Sequence, residues 1–458
     1  MPPRQPASPR PSQPSAGARV TVVGVGADGW DGLAPAAREV LTSAGVLLGG
    51  HRQLDLIPEH SDGRPVGGRR VSWPSPLLPA LPALLAEHGI RVETGADAAA
   101  GAGGTPDPGG DAQLAGAAGG VCVLASGDPM FYGIGATLVR LLGVDCVRVL
   151  PHPSSVSLAC ARLGWAVQDV EVVSVVGRPL DRVRLALAPR RRLLILSADR
   201  TTPAALAELL VACGYGTSPM TVLDRLGAPD ESRRSADAAD WASAGAPSDL
   251  NIVAVECRPA ASAARRPRGP GLPDDAFEHD GQITKREIRA VTLARLGAEP
   301  GELLWDVGAG SGSVAVEWMR THPACRAIAI EPRADRAERI GRNAATLGVP
   351  SLRVVVGSAP EALAGLPAPD AVFVGGGVSG VGVLEACWSA LRGQGRLVVN
   401  AVTLESEAVL ADWYARRGGD LVRLSVSRAA AVGRFTGWRP AMPVTQWTVW
   451  PAQAAAAG

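Results

Sequence analysis

The chain has 458 residues, of which 47% are apolar and 19% charged, and its formal net charge is +1. That length and apolar share suit two or three domains with self-sufficient cores, and exclude a disordered tail or a small disulfide scaffold. A near-neutral balance excludes a global field for nucleic acid or an anionic membrane, so an anionic substrate must be met by a local cluster of charge.

Residues 1–18 are rich in Pro, Ser and Arg and lack the apolar core of a signal peptide, so a disordered tail is expected. No stretch is apolar enough for the roughly eighteen residues of a membrane span. A soluble cytoplasmic protein is the expectation. The seven cysteines are odd in number, scattered, and contain no Cys-x-x-Cys pair, and the six histidines contain no His-Glu-x-x-His. Buried free thiols and no bound metal are therefore expected.

A strand at Arg19–Val25 runs into Gly24-Val25-Gly26-Ala27-Asp28-Gly29. This satisfies the Gly-x-Gly-x-x-Gly of a dinucleotide site, but Trp30–Leu33 does not continue into a long amphipathic helix and no second strand ends in a well-placed acid. Short strands and helices then alternate to Leu250–Glu256, which indicates an α/β domain over 19–257. Within it, Thr94–Gly120 is an Ala, Gly, Pro and Asp run that reads as a loop insertion. An apolar strand at Val121–Ala125 precedes Ser126-Gly127-Asp128-Pro129 and the pair Phe131-Tyr132. A tight type I turn accounts for these residues without any ligand.

Residues 258–273 turn to Pro, Ala, Arg and Gly, the composition of an exposed interdomain linker, and Arg265, Arg266 and Arg268 are expected to be solvated there. Thr284-Lys285-Arg286-Glu287 has the spacing of a capping box and predicts a helix carrying Ile288, Val291 and Leu296. Strands are expected at Leu303–Val307, Ala327–Ile330, Leu352–Val356, Ala371–Val374 and Leu397–Asn400. Two more are expected at Asp420–Val426 and Thr445–Trp450. Alternation with helices over 274–452 predicts a doubly wound parallel sheet with ligands at the strand C-termini.

The richest stretch is LLWDVGAGSGSVAVEWMRTHPACRAIAIE, Leu303–Glu331. Gly308, Gly310 and Gly312 let the backbone turn where a Cβ would block a ligand. Glu331 arrives about twenty residues later at a strand end, where a carboxylate can accept both ribose hydroxyls. The place of a third dinucleotide glycine is held by Ser313, so the spacing is Gly-x-Gly-x-Gly. Asp306, Ala309 and Ser311 complete the turn. Ser358 and Ala359 would read an adenine edge, and Gly375-Gly376-Gly377 give an open floor suited to a large planar substrate in place of a flipped base.

GLPDDAFEHDGQITKREIRA, LLWDVGAGSGSVAVEW, SAPEALAGLPAPDAVFVGGG, GRLVVNAVTLESEAVL and GRFTGWRPAMPVTQW together resemble the decarboxylating precorrin-6Y methyltransferases of cobalamin biosynthesis. SGDPMFYGIG, PHPSSVSLACARLGW and VLDRLG resemble the tetrapyrrole methylase fold, whose cofactor lies between two α/β lobes. The resemblance implies a two-lobed tetrapyrrole methylase domain followed by a Rossmann-like class I S-adenosylmethionine (SAM) methyltransferase domain. It further implies methylation at C5 by the first half, and methylation at C15 with loss of CO2 from the ring C acetate by the second.

By the same resemblance, SAM would meet Gly24, Gly26, Ser126, Gly127, Asp128, Phe131, Tyr132 and Ser154 in the first half. In the second it would meet Thr284, Asp306, Gly308, Ala309, Gly310, Ser311, Gly312, Glu331, Ser358 and Ala359. Asp128, Asn400 and Glu405 are catalytic candidates from their placement at strand ends. Arg178, Arg286, Arg289 and Arg439 are candidates for the substrate's carboxylates. Val176 stands where the family usually has a histidine before Gly-Arg. The implied partner is a small-molecule corrinoid precursor, with no nucleic acid and no membrane, in a homo-oligomer. An RNA or other small-molecule methyltransferase of the same fold, and a cobalt-containing version of the same steps, stay open.

Overall fold

The structure is a computed structural model and describes residues 20–74, 76–90, 120–391 and 395–450. The expected tail at 1–18, and the loop insertion except for Gly120, lie outside the described residues.

The first lobe is built on strands β1 (Val20–Val25), β2 (Val46–Gly49), β5 (Arg69–Ser72), β6 (Val121–Ser126) and β7 (Val147–Leu150), with a small pair, β3 (His60–Ser61) and β4 (Arg64–Pro65), beside them. The five form one sheet in the order β5-β2-β6-β1-β7, every pairing parallel. Parallel strands are covered on both faces, which is why these segments are near-continuous apolar runs. Leu41, Leu47 and Leu124 fill one side, and Val22, Leu85 and Leu138 the other. Trp30 lies in a single 3-10 turn, Gly29–Gly32, and the helix that follows, Pro35–Ser43, has only nine residues.

The second lobe carries β8 (Val170–Ser174), β9 (Arg192–Leu196), β10 (Pro219–Asp224), β11 (Ser232–Asp237) and β12 (Asn251–Glu256), in the order β11-β10-β12-β9-β8. Only β8 and β9 pair in parallel; β9, β12, β10 and β11 pair antiparallel.

The segment after β12 departs from the expected solvated linker. Arg266 donates to the Thr346 carbonyl, while Arg268 donates to the Leu185 carbonyl and the Glu171 carboxylate. Buried Arg320 in turn donates to the carbonyls of Arg266 and Pro267. Guanidinium groups bond several acceptors in one plane, so basic residues in a proline-rich strip can staple two domains.

The C-terminal sheet contains β13 (Leu303–Val307), β14 (Arg326–Glu331), β15 (Arg353–Val356), β16 (Ala371–Val374), β17 (Arg396–Ala401), β18 (Asp420–Leu424) and β21 (Val444–Val449). Their order is β15-β14-β13-β16-β17-β21-β18; β21 runs antiparallel to both β17 and β18. Strand order reverses between β13 and β16, which opens a crevice at their C-terminal ends. Cores lie on both faces: Trp318, Phe373 and Leu304 on one, and Trp305, Trp413 and Trp447 on the other.

One expectation needs correction, and one element is unanticipated. The capping box does not form: the helix runs Arg286–Leu296 with Lys285 at its N-cap and no side-chain cap bond. The Thr284 carbonyl instead accepts from Arg289. Ser427–Val432 (β19) and Phe435–Pro440 (β20) form an exposed hairpin that no alternation in SRAAAV announces. Of the seven free cysteines, five are buried and two half-buried, and burial pushes the Cys122 and Cys387 thiols up to about 12.

Candidate active site

At the switch point the glycine turn and Glu331 face each other. The Gly310 N–H donates to Glu331 Oε2 at 2.8 Å and the Arg333 N–H to Oε1 at 3.2 Å, with Glu331 only 2% exposed. Each oxygen accepts one bond and keeps acceptor capacity for a ligand hydroxyl. The turn needs its glycines for two reasons. Gly308 and Gly312 have φ of 69° and 72°, where side chains are strained. A Cβ on Gly308 would also lie 2.7 Å from the Gly376 carbonyl oxygen, and one on Gly312 would lie 2.7 Å from Ile340.

Other loops converge on the same end of the sheet. Gly357 N–H donates to the Glu331 carbonyl at 3.1 Å, which brings Ser358 and Ala359 alongside, and Gly375 N–H donates to the Val307 carbonyl at 2.9 Å. The Gln282 carbonyl lies over Gly310, 3.2 Å from where its Cβ would be, so the chain leading to Thr284 passes above the turn. Beneath, Asn343 donates to the carbonyls of Ser311 and Glu278 and ties that strip to the turn.

Asp306 and Ser311 are buried in the turn with one unfilled polar atom each, Oδ1 and Oγ. Asp306 Oδ2 accepts the Ala315 N–H at 3.0 Å. Burial, with the Glu331 charge adding to it, pushes the Asp306 carboxyl up to about 7 from an ordinary 3.8. The folded chain then holds a proton that the unfolded chain releases between those values, so stability falls as pH rises from about 4 to about 7 and the loss is complete above that. Asp306→Asn keeps an acceptor for Ala315. It is expected to flatten this part of the pH dependence, measured as the difference in Tm between variant and wild type from pH 5 to 8.

The arginine and catalytic candidates divide. Arg289 is fully buried, bonded to Glu317 at 2.6 Å and Asp274 at 3.1 Å, and its ring neighbour is Phe277. It is a structural clasp and faces no cleft. Asn400 has both ends of its amide engaged, donating to Thr292 Oγ1 at 3.0 Å and accepting from Gln446 at 2.9 Å, so it is not free for chemistry. Glu405 is exposed in the first turn of the helix Leu404–Arg417. Its own backbone N–H and Thr403 hold its carboxyl below the usual range, which suits a helix start and not a proton donor. Arg286 and Arg439 are exposed.

In the first lobe, three strand ends meet. Gly127 N–H donates to the Val25 carbonyl, and Ser126 Oγ accepts from Arg52 at 2.7 Å and Gln53 at 2.6 Å. Asp128 accepts the Met130 N–H at 2.8 Å, the turn that needs no ligand. Ser154 caps the helix Ser155–Leu163 through the Ser157 N–H at 3.1 Å. Phe131 and Tyr132 are exposed and meet edge to face, and Arg178 from the second lobe lies 5.3 Å over the Tyr132 ring. Sequence reasoning missed Arg52, Gln53, Asp28 and His152 here. The last two lay inside the quoted motifs GADG and PHPSS, where only the glycines and the serine were singled out. One concavity of about 530 Å³ lies beside Arg190–Arg192, and another of about 460 Å³ beside Val378–Leu384, directly after the Gly375-Gly376-Gly377 floor.

Comparison with known proteins places this geometry. The family described as tetrapyrrole (corrin/porphyrin) methylases matches residues 19–241, and a precorrin methyltransferase domain matches 275–451. A precorrin-6Y C(5,15)-methyltransferase [decarboxylating] from Sinorhizobium sp is 47% identical over 429 residues, covering 94% of this chain and 95% of that protein. A cobalt-precorrin-7 C(5)-methyltransferase from Salmonella typhimurium is 32% identical over 46% of this chain and 87% of its own length. A probable cobalt-precorrin-6B C(15)-methyltransferase (decarboxylating) from Pyrobaculum calidifontis is 35% identical over 38% of this chain and 93% of its own.

Proposed function

The chain belongs to the decarboxylating precorrin-6Y C(5,15)-methyltransferases, and from that membership we propose that it methylates C5 and C15 of precorrin-6Y with SAM and removes CO2 from the ring C acetate, giving precorrin-8X. The first half carries the C5 step, and the second the C15 step with decarboxylation. The observation that supports this most is that 47% identity runs through both halves, to 94% of the chain.

The residues of the second half fit the cofactor. Glu331 has acceptor capacity beside the Gly310 N–H, and Asp306 and Ser311 each keep an unfilled polar atom in the turn. Ser358 and Ala359 lie at the neighbouring strand end. When bound, SAM supplies an electrophilic methyl group on a positively charged sulfur. The protein's part is to hold the macrocycle's carbon in line with that methyl and to exclude water. Gly375-Gly376-Gly377 leave the floor without side chains, so a planar ring can lie close. The methylated macrocycle is itself the electron sink for loss of CO2, so no protein nucleophile is required.

A homo-oligomer is part of this reading, supported by Phe435, Trp438 and Met442 exposed on and beside the β19–β20 hairpin. No helix among the described residues is long and apolar enough to cross a membrane. The Salmonella typhimurium and Pyrobaculum calidifontis relatives are named for cobalt-containing precursors, which favours testing that version as well. Purified full-length chain with SAM and metal-free or cobalt-containing precursor is expected to give a product heavier by two CH2 units, a methyl replacing a hydrogen at each of two positions, and lighter by one CO2, read by mass spectrometry. Unchanged mass with both precursors contradicts the proposal.

A further inference from the structure

Replacing hydrogen by methyl on a ring carbon releases one proton. The carbon–sulfur bond breaks with its pair going to sulfur, the ring's π pair forms the new carbon–carbon bond, and the pair of the lost proton returns to the ring. Something must take that proton. The family's histidine before Gly-Arg is Val176 here, and its side chain is exposed.

The first lobe holds another candidate. His152 follows β7 and Asp28 follows β1, at the same end of the sheet, with Nε2 and Oδ1 3.5 Å apart. Nδ1 lies 3.2 Å from the Pro153 carbonyl. The Pro153 carbonyl and the Asp28 carboxylate both only accept, so a ring with one N–H can donate to one of them and a ring with two serves both. Asp28 Oδ1 is buried and has no hydrogen-bond partner. A proton held between Nε2 and Oδ1 makes that contact a charge-assisted hydrogen bond.

The surrounding glycines make the room. A Cβ on Gly26 would lie 2.3 Å from Asp28 Oδ1 and 2.5 Å from the His152 ring, whereas one on Gly24 would first meet the Gly127 carbonyl oxygen at 2.1 Å and then the His152 backbone nitrogen at 2.8 Å. Gly26 is therefore needed for the pair itself, and Gly24 for the close approach of the Gly127 carbonyl and the His152 backbone. Neighbouring ionisable groups are committed elsewhere. Arg38 donates to the carbonyls of Trp30 and Asp31, Arg52 to Ser126, Asp128 accepts from Met130, and Arg178 lies over Tyr132.

Resting on the C5 reading above, we propose that Asp28 is the proton acceptor of the first half's methyl transfer and that His152 is its positioning partner. The side chain of Asp28 is 33% exposed and can meet the macrocycle, whereas that of His152 is 10% exposed and backs it. The proton leaving the ring goes to the carboxylate and is shared with Nε2.

The test uses full-length protein and scores C5 and C15 methylation separately by product mass and carbon NMR. Asp28→Asn and His152→Gln are expected to lower kcat for the C5 step by about 10²-fold or more. KM for SAM should stay within about twofold, and the acidic limb of the pH–rate profile should disappear. C15 methylation and two bound SAM per chain report that the variants are folded. C5 rates within threefold of wild type, or an unchanged pH profile in both variants, overturn the proposal. Absence of C5 methylation in the wild type would instead count against the C5 reading itself.

Discussion

Glu331→Ala is expected to abolish SAM binding by the C-terminal half and leave the first half's site intact, so that calorimetry finds one site per chain in place of two. The carboxylate is buried, its two oxygens already hold the N–H groups of Gly310 and Arg333, and it stands where a ribose would present two hydroxyls. Hydrogen bonds to a charged group contribute about 1.5–3 kcal/mol each, so losing two corresponds to a weakening of at least about 10²-fold. Removing the acceptor also frees the glycine turn to relax. Glu331→Gln keeps the shape and loses the charge, and should fall between the two. C15 methylation and CO2 release should disappear in the alanine variant, while C5 methylation persists. Unaltered C15 activity would show that Glu331 does not hold the cofactor.

Arg289→Ala should unfold the C-terminal half more readily, by about 3–5 kcal/mol, because it strands the buried Glu317 carboxylate. Glu317 also accepts the N–H groups of Gly271 and Leu272, and Arg289 donates to the Leu272 carbonyl. The clasp therefore closes the entry of the domain onto two helices. Replacing both charges together, Arg289→Met with Glu317→Leu, should recover part of the loss, since an apolar pair avoids an uncompensated buried charge. Urea unfolding followed by tryptophan fluorescence reports it, Trp318 being in this core. A single variant as stable as wild type would return Arg289 to the list of substrate-facing residues.

Much of the architecture is legible in local pattern. The strands Leu303–Val307 and Ala371–Val374 are apolar runs ending in glycine, and both fall where expected. Their neighbours at Arg326–Glu331, Arg353–Val356 and Arg396–Ala401 differ from expectation by a single residue at one or both ends. Glycine spacing followed by an acid at a strand end is equally local, so the meeting of Gly310 and Glu331 could be anticipated.

What escaped depends on side-chain contacts that local pattern does not display. Arg289 reads as one of several helix arginines until Glu317 and Asp274 are seen around it. Arg266 and Arg268 look solvated until the Thr346 and Leu185 carbonyls come within reach. Thr284 has capping spacing, but its carbonyl is drawn to Arg289 and the helix starts two residues later. His152 and Asp28 sit in different motifs and acquire a shared meaning only when β1 and β7 pair in parallel.

The account's central claim is two separate cofactor clefts in one chain. Calorimetric titration of the wild-type, full-length protein with SAM tests it most directly: two sites per chain are predicted, one of them lost in Glu331→Ala. A single site in the wild type, or two sites unaffected by Glu331→Ala, would contradict it.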